Sequence, residues 1–379
     1  MPQIIRISQS LLLLVVACMC AGFQTTPLPD QATHEGFKIL RQPVLGLVIG
    51  WNADRDLYRL MSVEGPKSVR SLVIGSLEDC EEKLVKVLRE RHGEGRLNLE
   101  LPTLGGLQLW SDVFWYADWR IQEHVYTGHY RLLDPFDVRV AWGTEEACRT
   151  QFELERSRRS LELESDHLVV LLHGLGRSRT AFDELRTKLR FAGYAVASVG
   201  YPSTRRSIAE HAAGLNLLLN GLDDTTKLSF VTHSLGGIVV RVALSKAESE
   251  WRKRIQLDRV VMLAPPNQGS ELARELATFS PFRTIAGPAG EDLQQKLDYI
   301  PAPPCPFGIV AASRDNKSGL NPLVQGDDDG IVSVKETMLA GAADFLKVKS
   351  YHTIVMNDPI VMDAVVRFLA HGRFLKERE

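Results

Sequence analysis

The chain has 379 residues, of which 44% are hydrophobic and 24% are charged. These proportions are typical of globular proteins with a large core, and the length predicts one domain of ordinary size together with a smaller unit. Forty-five basic residues against 47 acidic residues give a formal net charge of −2. This balance offers no electrostatic basis for binding nucleic acid, so we exclude a nucleic-acid partner.

Residues 1–22 have the pattern of an export signal. Arg6 supplies a positive charge, Leu11–Ala17 is an unbroken apolar run, and the small residues Ala21 and Gly22 follow. The run is much shorter than the roughly 20 apolar residues that a membrane-spanning helix needs. We therefore predict export to the cell envelope or periplasm, or secretion.

A lipid attachment site is predicted within this signal. The sequence Val15-Val16-Ala17-Cys18 resembles the lipobox of bacterial lipoproteins, in which the cysteine is lipidated and becomes the mature N-terminus. Cys18 would then hold the protein on a membrane. An ordinary cleaved signal and an uncleaved anchor are the alternatives. Residues 23–35 contain two prolines and few apolar residues, which predicts a linker.

Residues 36–150 have their own apolar pattern and are predicted to form an N-terminal α+β segment of unassigned role. Val44–Ile49 and Ser68–Ile74 are predicted strands, and Leu77–Arg91 is a predicted helix with Leu84, Val85 and Leu88 on one face.

The chain has only three cysteines after the predicted signal. Cys80, Cys148 and Cys305 allow at most one disulfide, and each is interpreted as structural.

The stretch Leu107–Trp142 is rich in aromatic residues. Trp115 and Trp119 are four residues apart, a spacing found on one face of a helix. A ligand groove is one interpretation, but core packing is favoured because aromatic side chains bury large areas. The nine aromatic residues are Trp110, Phe114, Trp115, Tyr116, Trp119, Tyr126, Tyr130, Phe136 and Trp142.

Residues 151–379 are predicted to form one domain in which strands and helices alternate. It opens with the charged segment Glu153–Glu164, interpreted as a solvated helix or linker. The alternation predicts a mostly parallel sheet with helices on both faces. The predicted strands are His167–Leu172, Ala195–Val199, Leu228–Thr232, Arg259–Leu263, Phe307–Ala311 and Phe345–Val348; the predicted helices are Ala181–Gly193, Ile208–Leu222, Gly236–Ser245 and Ile360–Leu369.

The sequence Thr232-His233-Ser234-Leu235-Gly236-Gly237 links a predicted strand to a predicted helix. A serine at such a junction is typical of a nucleophile elbow, in which a strained turn presents the hydroxyl above the sheet. Small residues two positions away relieve crowding between the two backbones. Thr232 replaces the usual leading glycine. A plain glycine-rich turn is the alternative, and His233 is interpreted as structural.

Acyl chemistry needs hydrogen-bond donors for the developing oxyanion. His173-Gly174-Leu175-Gly176 follows a predicted strand and supplies a suitable backbone loop. We predict that the backbone N–H groups of Leu175 and Leu235 form the oxyanion hole. His173 is interpreted as a residue that organises the loop.

The general base and its acid are predicted near the C-terminus. His352 is the only histidine between Ser234 and the last predicted helix, and it is the predicted base. Asp329 is the predicted acid because Gly330 allows a turn directly after it. Asp328 and Asp315 are the alternatives. The acidic run before Gly330 is also compatible with a calcium loop.

These motifs together resemble the α/β-hydrolase superfamily, and within it the bacterial triacylglycerol lipases and esterases. The resemblance covers about residues 165–372 and rests on H-G-L-G, T-H-S-L-G-G, LAPPNQGSELA at 263–273, D-G-I-V and the late histidine. It implies triad roles for Ser234, Asp329 and His352. The departures from the pattern are Thr232 and an extra loop, Arg314–Gly326, before the acid.

The sequence therefore predicts a serine hydrolase that cleaves carboxylic esters through an acyl-serine intermediate, with no metal or organic cofactor. Residues 274–304 are predicted to form a cap that favours acyl or lipid-like esters. Three alternatives remain at this point. An acyltransferase, or a thioesterase or amidase, would use the same triad. A surface binding module with a vestigial hydrolase fold is disfavoured because none of the three side chains is missing.

Overall fold

The computed structural model describes residues 33–34, 37–39, 47–52, 54–55, 57–63, 69–75, 79–80, 83, 101–102, 107–246, 249–278 and 280–375. The predicted signal and Cys18 lie outside these residues. Within the described part of the chain, no helix is both long and apolar enough to cross a membrane. The chain divides into two compact units, one spanning residues 23–101 and the other residues 102–379.

The unit of residues 23–101 contains a five-stranded antiparallel sheet whose strands are neighbours in chain order. Leu60 and Met61 of the fourth strand are buried. The predictions Val44–Ile49 and Ser68–Ile74 overlap the third and fifth strands. Of the predicted helix Leu77–Arg91, only residues 79–80 and 83 are described, and they are helical. The strands are β1 (Thr33–His34), β2 (Phe37–Ile39), β3 (Leu47–Asn52), β4 (Leu57–Val63) and β5 (Val69–Gly75).

The aromatic segment at the start of the larger unit is an antiparallel meander. Its strands are β7 (Trp110–Tyr116), β8 (Trp119–His124), β9 (Tyr130–Leu133) and β10 (Val138–Gly143). The two-residue strand β6 (Leu101–Pro102) completes the order of this sheet.

The helical spacing of Trp115 and Trp119 was therefore a wrong indication of a helix. The chain reverses between β7 and β8 at Ala117 and Asp118, whose φ values of 44° and 67° suit a two-residue hairpin turn. This turn places Tyr116 opposite Trp119 on neighbouring strands. The core interpretation is confirmed for the centre of the segment, because Trp115, Tyr116 and Trp119 are all buried.

A helix, α1 (Glu145–Arg159), packs on the meander and is capped at its start by the hydroxyl of Thr144. It buries Phe152 against Phe114 and Trp119. The helix continues through residues 150 and 151, where the sequence predicted a domain boundary. The division lies at residues 101/102 instead. Trp115 of the meander belongs to one core of the parallel sheet that follows, and the Asp112 N–H donates to the Gly200 carbonyl at 2.9 Å.

The parallel sheet has six strands in the order β12-β11-β13-β14-β15-β16. All six predicted strands are confirmed, with ends that differ by at most three residues. Their apolar runs follow from burial on both faces. The strands are β11 (His167–Leu172), β12 (Ala195–Val199), β13 (Lys227–His233), β14 (Gln256–Leu263), β15 (Phe307–Ser313) and β16 (Asp344–Lys349).

Helices cover both faces of this sheet, which is an α/β-hydrolase fold. In β11, Leu168 and Val170 belong to one core and Val169 and Leu171 to the other, since successive side chains of a strand point to opposite faces. The helices are α2 (Asp183–Phe191), α3 (Ile208–Asn220), α4 (Leu235–Ser245), α5 (Glu271–Glu275), α6 (Ser280–Asp292), α7 (Val334–Thr337) and α8 (Pro359–His371).

Candidate active site

Ser234 lies between the last residue of β13 and the first residue of α4, and its backbone is strained. Its φ of 52° and ψ of −123° are unusual for a residue with a side chain. Two hydrogen bonds hold this conformation. The Ser234 N–H donates to the carbonyl of Leu263 at 2.9 Å, and the Gly237 N–H donates to the Ser234 carbonyl at 2.9 Å. The chain therefore makes the sharp strand-to-helix turn that the sequence predicted.

The elbow has room for glycine alone at position 236. A Cβ there would lie 2.3 Å from the carbonyl oxygen of Leu172 and 2.8 Å from that of His173. Thr232, which replaces the usual leading glycine, is accommodated. Its side chain is buried and its hydroxyl donates to the Val261 carbonyl at 3.4 Å.

Asp329 and His352 are in direct contact. The Asp329 Oδ2 atom lies 2.7 Å from His352 Nδ1, and the His352 N–H donates to the Asp329 carbonyl at 3.0 Å. The second carboxylate oxygen, Oδ1, accepts the N–H groups of Ile331 at 3.0 Å and Val332 at 2.8 Å. Both side chains are buried. The carboxylate is thus fixed by backbone donors on one side and bonds the imidazole on the other.

The two alternative acids have other partners. Asp328 accepts N–H groups from Leu320, Asn321 and Gly330, and burial raises the pKa of its carboxyl. Asp315 is exposed, and its carboxylate forms an ion pair with Lys347 at 2.5 Å. Asp329 is the one of the three whose carboxylate bonds His352.

His233 contacts His352, the predicted base. Its Nε2–H donates to the backbone carbonyl of His352 at 2.9 Å, and the ring centroids are 4.7 Å apart. Burial, with smaller contributions from the neighbouring His352 ring and the Arg177 guanidinium, holds the pKa of His233 well below its usual range. The ring is therefore neutral, and its contact agrees with a structural role.

The loop after β11 lies against the serine. A Cβ at Gly174 would be 3.0 Å from the Cβ of Ser234. The preceding residue, His173, is buried and stacks on Tyr201 with a centroid distance of 4.3 Å. The Tyr201 hydroxyl donates to the His173 carbonyl at 2.6 Å. Burial lowers the pKa of His173 to about 4, so this ring is also neutral.

Gln108 supports the same loop from outside the predicted catalytic domain. Its Nε2 donates to the Arg177 carbonyl at 2.9 Å, and its Oε1 accepts the Thr204 N–H at 3.0 Å. Ser203 adds a further bond by accepting the Gly176 N–H at 2.9 Å. No local pattern in the sequence signals this role, because Gln108 and Arg177 are 69 positions apart.

Ser234 and His352 both border one cavity. Among the described residues, no hydrogen bond joins the Ser234 hydroxyl to His352. Bonds between a nucleophile and its base are often long when no substrate is bound, and they shorten when substrate binds. Most of the wall is apolar. Its lining residues are Leu175, Arg177, His233, Ser234, Pro266, Ser270, Leu272, Ala273, Gly290, Leu293, Ile331, Val332, His352 and Thr353.

Part of the wall comes from residues 271–293, which contribute Leu272, Ala273, Gly290 and Leu293. The chain that follows this segment is anchored by Arg241, a buried residue of α4. Its guanidinium donates to the backbone carbonyls of Asn267, Leu297, Ile300 and Pro301. The role of Arg241 was not predicted from the sequence, although a lone arginine in the apolar stretch Leu235–Ser245 was an available signal.

Other reactive groups are separate from this arrangement. Across the residues that the structure describes, no group of three or more His, Cys, Asp and Glu side chains is arranged to hold a metal ion. Cys148 and Cys305 are free thiols. Burial raises the pKa of Cys148 to about 11 and that of Cys305 to about 12, so neither is an activated nucleophile.

Residues 135–282 match a family described as a domain of unknown function, DUF7379. The chain matches no curated protein sequence.

Several solved structures are similar at low identity. The mature lipase BlEst2 of Bacillus licheniformis is 20% identical with a TM-score of 0.44, and the match covers 54% of this chain and 91% of that one. The metagenomic carboxyl esterase MGS0156 is 21% identical with a TM-score of 0.39, covering 54% and 76%. A thermophilic esterase from Thermogutta terrifontis is 17% identical with a TM-score of 0.36, covering 55% and 90%.

Proposed function

We propose that this protein is a serine hydrolase that cleaves carboxylic esters through an acyl-serine intermediate. The observation that carries the proposal is the cavity bordered by both Ser234 and His352, with His352 bonded to a buried carboxylate at 2.7 Å. A strained serine, an imidazole and an oriented carboxylate are the groups that acyl transfer to serine requires.

His352 takes the proton of Ser234 as the hydroxyl attacks the ester carbonyl. Asp329 accepts the Nδ1–H bond, which fixes the tautomer that leaves Nε2 free to accept a proton. The imidazolium then gives its proton to the leaving alcohol. A water molecule, activated in the same way, hydrolyses the acyl-serine. The chemistry of these steps needs no metal or organic cofactor.

The backbone N–H groups of Leu175 and Leu235 are the proposed oxyanion hole. Leu235 is the first residue of α4, where N–H groups have no partner within the helix and the helix dipole favours negative charge. The loop that carries Leu175 is beside the nucleophile, since a Cβ at Gly174 would lie 3.0 Å from Ser234 Cβ. Donors placed in this way stabilise the tetrahedral intermediate more than the ester.

The apolar wall supports an acyl substrate. Leu272, Ala273 and Leu293, from the segment after β14, border the cavity together with Ile331 and Val332. We propose that residues 274–304 act as a cap that selects the acyl chain, with Arg241 holding the end of the cap on the body of the domain.

The test is hydrolysis of p-nitrophenyl esters from acetyl to palmitoyl by the wild-type protein and by Ser234→Ala. We expect the variant to lose activity by at least about 10⁴-fold because the nucleophile is removed. A fluorophosphonate should label the wild type and not the variant. Labelling without ester hydrolysis would replace the hydrolase proposal with an acyltransferase or another acyl substrate. If the fluorophosphonate labels neither protein, every catalytic proposal is contradicted.

We also propose export and attachment to a membrane through Cys18. The support is the apolar run Leu11–Ala17 directly before that cysteine. In a bacterial host, the wild type should fractionate with membranes and Cys18→Ala should not. Intact mass of the mature protein provides the second readout. A soluble wild-type protein cleaved after residue 22 would support an ordinary signal instead.

A further inference from the structure

One cation borders the catalytic cavity without a carboxylate to balance it. Arg177 follows the proposed oxyanion loop and is half-buried. None of the described lining residues is acidic, and no described carboxylate forms an ion pair with Arg177. A guanidinium remains charged at neutral pH, and removing an unpaired charge from water costs free energy.

Several other half-buried or buried arginines of this unit have partners. Asp137 pairs with Arg120 and Arg179, and Asp118 pairs with Arg186 and Arg190. Arg241 is satisfied by backbone carbonyls. Arg177 lines the cavity with Ser234, and no described carboxylate pairs with it.

The backbone of Arg177 is held in place. Its N–H donates to the Gly174 carbonyl at 3.2 Å, and its own carbonyl accepts from Gln108 at 2.9 Å. Its charge contributes to the low pKa of both His233 and His173, after the larger effect of burial. The guanidinium is thus close to the elbow and to the loop after β11.

We propose that Arg177 binds an anionic group of the ester substrate, a carboxylate on the acyl chain or a phosphate on the leaving alcohol. A guanidinium offers paired N–H donors that match either anion in a bidentate contact. The anion supplies the counter-charge that no described side chain provides. This inference rests on the proposed ester hydrolysis and narrows its substrate class.

The test compares matched neutral and anionic esters. On the acyl side, p-nitrophenyl pentanoate is compared with mono-p-nitrophenyl glutarate; on the alcohol side, octanoyl glycerol is compared with octanoyl glycerol 3-phosphate. The readout is the ratio of kcat/KM for the anionic ester to that for its neutral partner. In Arg177→Gln we expect this ratio to fall about 10- to 100-fold for at least one pair, the usual loss for a hydrogen bond to a charged group.

Two variants serve as controls. Arg205→Gln removes the same charge from an exposed position outside the cavity lining, and it should change the ratio less than about twofold because exposed charges are screened. Arg177→Lys keeps the charge and loses the bidentate geometry, so its ratio should lie between those of the wild type and Arg177→Gln.

Binding to Ser234→Ala, measured by calorimetry, separates this inference from the hydrolase proposal. If no ester is cleaved but Ser234→Ala binds the anionic ester more tightly than Ser234→Ala/Arg177→Gln does, the anion site stands and the hydrolase proposal falls. If neutral esters are cleaved and the wild type shows neither an anionic preference nor tighter anion binding, the anion site is overturned. An equal loss on neutral and anionic esters in Arg177→Gln would also overturn it.

Discussion

Ser234 and Asp329 both follow strands of the same parallel sheet, but different interactions hold the two loops. At Ser234, backbone crowding dominates: position 236 has no room for a Cβ, and the serine has a φ of 52°. At Asp329, side-chain carboxylates bind backbone N–H groups and shape the loop. The glycines next to Ser234 signal the first arrangement in the sequence, although the crowding itself comes from the carbonyls of Leu172 and His173. The second arrangement depends on which amides each carboxylate reaches.

The acid loop shows this dependence most clearly in three consecutive aspartates. Asp327 accepts the N–H groups of Arg314 and Asp315 and closes the base of the loop. Asp328 accepts N–H groups from the loop interior, and Asp329 bonds His352. The three identical side chains thus have three different sets of partners. Substitutions at the two loops should therefore affect activity and stability in different ways.

After Ser234→Ala, the largest expected effect is that of Asp329→Asn. The amide keeps the shape of the side chain but does not stabilise the imidazolium, so kcat/KM for p-nitrophenyl esters should fall by about 10⁴-fold. Thermal unfolding of the same variant should remain cooperative. An Asp328→Asn protein that lost as much activity while staying folded would show that the acid is assigned to the wrong aspartate.

The next effect is on the elbow. Gly236→Ala places a methyl group 2.3 Å from a backbone oxygen, and we expect it to lower the free energy of unfolding by at least about 3 kcal/mol. Gly214→Ala in α3 is the matched control, since a Cβ there meets nothing within 4 Å. It should stabilise the protein by up to about 1 kcal/mol. Urea unfolding of both variants measures the contrast; similar values for the two would contradict the crowding argument.

Two buried groups beside these loops should also make stability respond to pH in opposite directions. They are His173, whose carbonyl crowds position 236, and Asp328 in the acid loop. Burial lowers the pKa of His173 to about 4, below its ordinary value near 6.5. Between these values the unfolded chain binds a proton that the folded chain does not, so stability is lost as the pH falls. His173 alone should cost about 2 kcal/mol between pH 7 and pH 5. His173→Gln should flatten the pH dependence of urea unfolding in this range, and an unchanged slope would refute the buried neutral ring.

Asp328 has the opposite sign. Burial raises the pKa of its carboxyl, so the folded chain binds a proton more readily than the unfolded chain and this contribution favours stability at acid pH. At pH 7, Asp328→Asn should cost about 1 to 2 kcal/mol, because lost hydrogen bonds outweigh relief of the buried charge.

The smallest effect is expected at Asp327, which is partly exposed. Asp327→Asn should cost less than about 1 kcal/mol. Its ion pair with Lys347 is exposed and weak, and an amide Oδ1 can still accept the N–H groups of Arg314 and Asp315. Chemical denaturation of Asp327→Asn and Asp328→Asn measures the free energy of unfolding that each variant loses. A larger loss in Asp327→Asn would show that burial does not decide which aspartate contributes more to stability.

The sequence alone determined the parallel sheet and the turn at Ser234, and it pointed to His352, the histidine that bonds Asp329. Apolar runs of Val, Ile and Leu that alternate with helical periods specify buried strands, and the spacing around Ser234 specifies a turn. These are local properties, set by backbone geometry and side-chain period. Their bounds in the structure differ from the predicted ones by only a few residues, as for β13.

Tertiary structure alone decided which partner each polar side chain found. Three aspartates in a row carry no local mark that separates them, and Gln108 reaches a loop 69 positions away. The spacing of Trp115 and Trp119 suited a helix until a two-residue turn placed them on neighbouring strands. Arg177 lacks a partner only because the fold brings no carboxylate of the described residues to it. Hydrogen bonds and ion pairs depend on distances that the period of a sequence does not encode.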